Sequence, residues 1–153
     1  MVTADRLLGE LFEILHEKFG ERMQGYLFPP PVFMAMRGEL LEMDLKNGLF
    51  TARFPVLESY LNPYGAMQGG MIAAAVDYTL GPLSVAIAPP NVTRKLEMKY
   101  SRPATMDMEF ILVTARLVER KDPQLFFEAR VSSPDGHKLA TCKAIHWIID
   151  SKT

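Results

Sequence analysis

Between Arg53 and Arg94 the chain carries no lysine, arginine or histidine, and the only charged side chains there are Glu58 and Asp77. From Ala66 to Ala88 the residues are mostly Ala, Met, Ile, Val and Leu. A helix that is apolar all round belongs inside a core or inside lipid. Lipid needs about 20 apolar residues for one crossing, and the stretch is close to that length. Gln68, Asp77, the Gly81-Pro82 pair and the lack of flanking basic residues argue against a span. The stretch is therefore read as the central helix of a soluble domain, starting near Gly69, losing regularity at Gly81-Pro82 and ending before Pro89-Pro90. Its single carboxylate, Asp77, needs a reason, because burying an ionised group without partners is costly.

The remaining chain supplies material to wrap such a helix. Residues Thr3 to Phe19 repeat Leu7, Leu11, Ile14, Leu15 and Phe19 at helical spacing, with Glu10, Glu13, Glu17 and Lys18 opposite, which predicts an amphipathic surface helix. Tyr26-Leu27-Phe28-Pro29-Pro30-Pro31 predicts an extended connector. From Met36 the period changes to two. Leu41, Met43 and Leu45 alternate with charged residues, Asn47-Gly48 offers a two-residue hairpin turn, and Phe50, Ala52 and Phe54 alternate on the return. After the central helix come four predicted strands, over Asn91 to Ser101, Met106 to Glu119, Gln124 to Ser132 and Lys138 to Asp150. One helix followed by a meander of long strands indicates an α+β fold, a curved antiparallel sheet wrapped around a central helix with an extra helix at the N-terminus. The expected organisation is a single domain over 1–153, with helix and connector in 1–35 and the core in 36–150.

With 17 basic and 18 acidic side chains interspersed along 153 residues, nothing marks a nucleic-acid footprint. The single Cys142 excludes an internal disulfide and fits a reducing compartment. Charges stand where a signal peptide would carry its apolar run, so the expected location is the cytoplasm. No His, Cys and carboxylate cluster has metal-ligand spacing, and no metal or separate cofactor is expected. No Gly-x-Ser-x-Gly elbow accompanies Ser84 or Ser101. Of the histidines, His16 falls on the exposed face of the first helix, His137 in a turn and His146 on the last strand. Cys142 reads as a small core residue.

Gly69 and Gly70 open the central helix, so their N-H groups lack intrahelical acceptors and lie at the positive end of its dipole. Such an end can stabilise an oxyanion formed during acyl transfer; two glycines can equally serve close packing. Asp77 lies eight residues on, about 12 Å along the same helix. One helix cannot bring both groups to one carbonyl. If they cooperate, the carboxylate comes from a second copy running antiparallel, as in a two-fold dimer. Otherwise Asp77 is a buried acid satisfied by hydroxyls such as Tyr78 or Thr79.

The spacing of Asn62, Gly65, Gly69-Gly70 and Asp77, followed by Thr93 and Tyr100-Ser101-Arg102-Pro103-Ala104, resembles the hotdog-fold acyl-CoA thioesterases of the phenylacetate-pathway type. The resemblance covers roughly residues 36 to 150. It implies that Asp77 activates or delivers the attacking water, that the Gly69 N-H polarises the thioester carbonyl, that Asn62 places substrate or water, and that Thr93 assists the carboxylate. It implies dimers, often paired into tetramers, with coenzyme A entering only as part of the substrate. The family's histidine before the glycines is Gln68 here, which hydrogen-bonds but carries no proton near neutral pH. Gly70, Met67, Met71 and Tyr64 are candidates to line the acyl pocket, and Arg94, Lys99 and Arg102 to receive coenzyme A phosphates. The alternative is a hotdog module that holds acyl-CoA or a lipid-like ligand without turnover. A dehydratase would need a proton-shuttling histidine with its carboxylate and is disfavoured because no histidine is expected near the motif.

Overall fold

Leu7, Leu11 and Leu15 recur at helical spacing and are buried along one face of α1 (Ala4–Phe19), while His16 on the other face is exposed. The structure, a computed structural model, describes residues 4–149, so the predicted last strand end at Asp150 lies outside the described residues. Gly20, at φ +53°, ends α1, and a 3-10 stretch follows over Gly20–Gly25. The proline-rich connector is not wholly extended. Pro31 takes the first position of a short helix, α2 (Pro31–Ala35), where its missing N-H costs nothing.

Six antiparallel strands form one sheet: β1 (Glu39–Asp44), β2 (Leu49–Pro55), β3 (Asn91–Tyr100), β4 (Phe110–Lys121), β5 (Gln124–Ser132) and β6 (Lys138–Ile148). The spatial order is β1-β2-β4-β5-β6-β3. In β2 the alternation is as predicted, with Phe50, Ala52 and Phe54 all buried. In β1 a bulge between Leu40 and Glu42 shifts the phase by one, so Leu40 turns inward and Leu41 outward. The turn also departs from the two-residue form. Asp44 pairs with Leu49, and four residues, Leu45 to Gly48, make the connection. Asp44 shapes it by accepting hydrogen bonds from the Asn47 backbone N-H (3.1 Å) and side-chain amide (2.7 Å), and Gly48 supplies φ +62°.

The apolar segment forms α3 (Gly69–Ile87) and runs unbroken through Pro82. A side chain before proline is normally pushed out of the helical region by its own Cβ, and Gly81 has none. Ile72, Ala75, Val76, Leu80 and Leu83 are fully buried and join Phe50, Phe54, Ile111, Val113 and Leu125 in one core. Burying Leu80 or Leu83 contributes about 2 kcal/mol each. By length and composition α3 is apolar enough to cross a membrane, yet it packs against β2, β3, β4 and β5. The sheet wraps one side of it and leaves the rest of its apolar surface, including Ala73, Ala74 and Tyr78, only half-buried. Helix α1 covers β1, and Lys18 near its end donates to the Val85 and Ala88 carbonyls at 2.9 and 2.5 Å, placing a cation at the negative end of α3. At the opposite edge of the sheet, β3 has no strand beyond it among the described residues.

Candidate functional site

Asp77 sits midway along α3 on a half-buried face. Its partner is neither Tyr78 nor Thr79, whose hydroxyl donates instead to the Ala75 carbonyl at 2.8 Å. The Thr93 hydroxyl of β3 donates to Asp77 Oδ1 at 2.9 Å. Thr93 precedes a bulge in β3 and pairs across the sheet with His146 of β6.

His146 was not singled out by sequence, and the expectation that no histidine lies near the motif fails in space. Its Nε2 lies 3.4 Å from Thr93 Oγ1, and its Nδ1 lies 2.8 Å from Asn91 Oδ1. The Asn91 side-chain amide N-H donates to the Pro89 carbonyl at 2.9 Å, so its oxygen faces the imidazole. An oxygen acceptor there requires Nδ1 to carry the proton. In the neutral ring Nε2 is then bare and faces Thr93; any second proton is added at that nitrogen. His146 is only 1% exposed, and burial pushes its pKa below the usual imidazole value, against a smaller upward pull from the Asp77 charge. Phe127, 4.9 Å away between ring centres, and the neutral Asn91 and Thr93 complete its surroundings.

This predicts a pH dependence of stability. The folded pKa of His146 is depressed, so between it and the unfolded value of 6.5 the unfolded chain binds more protons. Stability is expected to be held above pH 6.5 and to fall as pH drops through that window. His146→Gln, which keeps a donor for Asn91, flattens the fall in melting temperature measured from pH 7.5 to 5. An unchanged slope in the variant refutes the assignment.

At the other end of the helix, the Met71 and Ile72 N-H groups both bond the Gln68 carbonyl, which leaves Gly69 and Gly70 as the endmost donors of α3. Tyr100 of β3 braces this end, its hydroxyl donating to the Gly69 carbonyl at 2.6 Å. A Cβ on Gly69 would meet that ring at 3.2 Å, close enough that the ring must give way by a few tenths of an ångström, whereas at Gly70 the space is open. Gln68 caps the helix in extended conformation with its side chain exposed and no capping bond. Asn62 shapes the preceding loop, its Oδ1 accepting from the Tyr64 and Ala66 N-H groups at 3.0 and 3.1 Å.

Helix α3 and strand β3 thus lie antiparallel, pinned by Tyr100 to Gly69 at one end and Thr93 to Asp77 at the other. Within one chain these ends stay about 12 Å apart. Arg94 lies at the Asp77 end, its guanidinium 5.7 Å above the Trp147 ring, while exposed Lys99 and Arg102 flank Tyr100 at the Gly69 end. Met67 is buried, Met71 half-buried, and Tyr64 is 94% exposed. None of the three lines the cavity of about 470 Å³ that opens beside Thr93 and His146. That cavity is walled instead by α1, the 3-10 stretch, the connector and the C-terminal half of α3.

Cys142 is buried in β6, its thiol pushed up to about 11 mainly by that burial, which suits a core residue and not a nucleophile. His16 and His137 are exposed. Among the described residues no group of His, Cys, Asp and Glu is arranged to hold a metal ion.

No protein-family profile matches the sequence, and no curated protein does. Solved structures do match. A phenylacetic acid degradation-related protein of Ralstonia eutropha, described as a candidate thioesterase, superposes with a TM-score of 0.74 at 26% identity, over 85% of this chain and 98% of that one. The PaaI protein of the E. coli phenylacetic acid degradation operon gives 0.75 at 13% identity, over 94% and 96%. A Streptococcus mutans protein bound to acetyl-CoA gives 0.73 at 18% identity, over 84% and 99%. The fold is the hotdog fold, and its neighbours include proteins described as candidate thioesterases, of the kind the sequence resembles.

Proposed function

We propose that this chain is an acyl-CoA thioesterase, working at a site that two copies build together. The observation that carries the reading is the Asp77 carboxylate, held by the Thr93 hydroxyl at 2.9 Å and set beside an apolar cavity. An ionised carboxylate so held is aimed, and it keeps a second oxygen for a water or a carbonyl carbon. One structural neighbour described as a candidate thioesterase, and another bound to acetyl-CoA, support the substrate class.

In the hydrolytic cycle Asp77 takes a proton from water as the hydroxide adds to the thioester carbonyl carbon. The oxyanion is received by the Gly69 N-H of a second copy, with the helix dipole behind it. The C–S bond then breaks, and the proton passes to the departing coenzyme A thiolate. Direct attack by Asp77 to give an anhydride, followed by its hydrolysis, uses the same groups. The dimer reading is supported by the open edge of β3 and by the half-buried apolar face of α3, both of which a two-fold partner would cover. Arg94 at one end and Lys99 and Arg102 at the other are suited to coenzyme A phosphates entering from either side.

The test is thiol release from a panel of acyl-CoA thioesters by the purified protein and by Gln68→His. Turnover of at least one thioester is expected in the wild type. A gain of under tenfold in the variant is expected as well, because the exposed Gln68 side chain caps nothing and its role is confined to the loop. No release from any thioester, with ligand binding retained, overturns hydrolysis and leaves a binding module.

A further inference from the structure

The cavity beside Thr93 has a chemistry of its own. Its walls are aliphatic and aromatic, with Leu15 and Phe19 of α1, Met23, Phe28 of the connector, and Pro82 and Val85 of α3. No Asp, Glu, Lys or Arg lines it among the described residues. At its one polar end the groups already serve one another: Asn91 holds His146, and Thr93 holds Asp77. A charged substituent pushed inside would lose its water, and the cation at the wall, Lys18, is already taken up by the Val85 and Ala88 carbonyls.

From this we infer that the cavity is the acyl-chain site, and that it selects uncharged medium-chain acyl groups, with α1 and the connector as its outer wall. The inference rests on the thioesterase reading and adds the substrate class to it. The polar end fixes the direction: a thioester carbonyl beside Asp77 leaves its chain facing Thr93 and the space beyond. A methylene takes up about as much room as a water molecule, roughly 30 Å³, so 470 Å³ sets a ceiling of about fifteen carbons, and a chain of about a dozen fits with room for imperfect filling. Each methylene buried there strengthens binding about fourfold. Acetyl and succinyl groups gain almost nothing, the first for want of length and the second because its far carboxylate would be stripped of water. Lys18 holds the wall closed by bonding the Val85 and Ala88 carbonyls, so the chain site exists only with α1 docked.

The test uses the full chain and two substitutions that change the cavity in opposite senses, Val85→Phe, which fills it, and Met23→Ala, which enlarges it. Hydrolysis is measured for straight-chain acyl-CoA thioesters from two to sixteen carbons and for succinyl-CoA. Binding is measured separately with the uncharged dye N-phenyl-1-naphthylamine, displaced by decanoyl-CoA. In the wild type kcat/KM is expected to rise at least tenfold from butanoyl-CoA to the optimum, between eight and twelve carbons, with succinyl-CoA poor. Val85→Phe moves the optimum to shorter chains and weakens dye binding at least tenfold, while Met23→Ala moves it to longer chains. General damage to the fold cannot produce opposite shifts. A flat chain-length profile, or the same loss at every length in both variants, overturns the inference and leaves the hydrolase reading intact. Absence of hydrolysis with dye displacement by decanoyl-CoA, lost in Val85→Phe, overturns the hydrolase reading and supports the chain site.

Discussion

Asp77→Asn is expected to lower kcat for thioester hydrolysis by about 10³-fold, within the range that removal of a general base costs. The substitution is nearly isosteric. The amide oxygen still accepts from the Thr93 hydroxyl, so the contact that ties α3 to β3 survives. What disappears is the group that takes a proton or attacks a carbonyl. The variant should therefore keep its melting temperature within about 2 °C, since no buried contact is broken. A kcat within tenfold of wild type, in a folded protein, would show that the carboxylate is structural.

A loss of about 10²-fold is expected for Gly69→Val, from misplacement at the reacting centre. A Cβ there meets the Tyr100 ring at 3.2 Å, so the branched side chain must displace either the ring or the first turn of α3. The Gly69 N-H remains, but it no longer points where the carbonyl oxygen will be. The two variants together examine the composite site. If each site takes Asp77 from one copy and Gly69 from another, a mixed dimer of the two inactive variants contains one doubly damaged site and one intact site. Random mixing then restores about a quarter of wild-type activity. Activity that stays at the level of the separate variants after subunit exchange, followed with tagged chains, rules the shared site out.

How far the sequence could be read depended on whether the relevant contact is local. The start of α3 at Gly69 was readable because a glycine pair stands where apolar helical spacing begins, and the inward set of β2 because Phe50, Ala52 and Phe54 alternate without interruption. In β1 only Leu41 departs from the expected inward set, since Met43 and Leu45 do pack against the core. A bulge leaves no mark in composition, so Leu41 seemed inward although Leu40 is the buried residue. The irregularity expected at Gly81-Pro82 is absent because Gly81 relieves the clash, while the expected end before Pro89-Pro90 holds, and Pro31 begins a helix where three consecutive prolines suggested only extension. At the site, the place of Asp77 on its helix was legible from helical arithmetic. Its tie to Thr93 was implied only through the resemblance. The Asn91–His146–Thr93 series was not legible, because it depends on β6 lying beside β3, an order that connects strands separated by the rest of the sheet. The wall formed by α1 was hidden for the same reason, since nothing local in Leu15 or Phe19 says which part of the core they face.

The chain has one cysteine, buried in β6 with its thiol held near 11, so at neutral pH it is protonated and out of reach of water-soluble electrophiles. It will not consume a chromogenic disulfide reagent used to count liberated coenzyme A, which keeps the assay background low. It also makes the native protein a ready host for labelling. A cysteine introduced at Tyr64, 94% exposed on the loop before α3, would be the one reactive thiol on each subunit, with no need to remove Cys142 from the core. A single fluorophore or spin label there would report the approach of two copies by distance, without touching any residue assigned to catalysis.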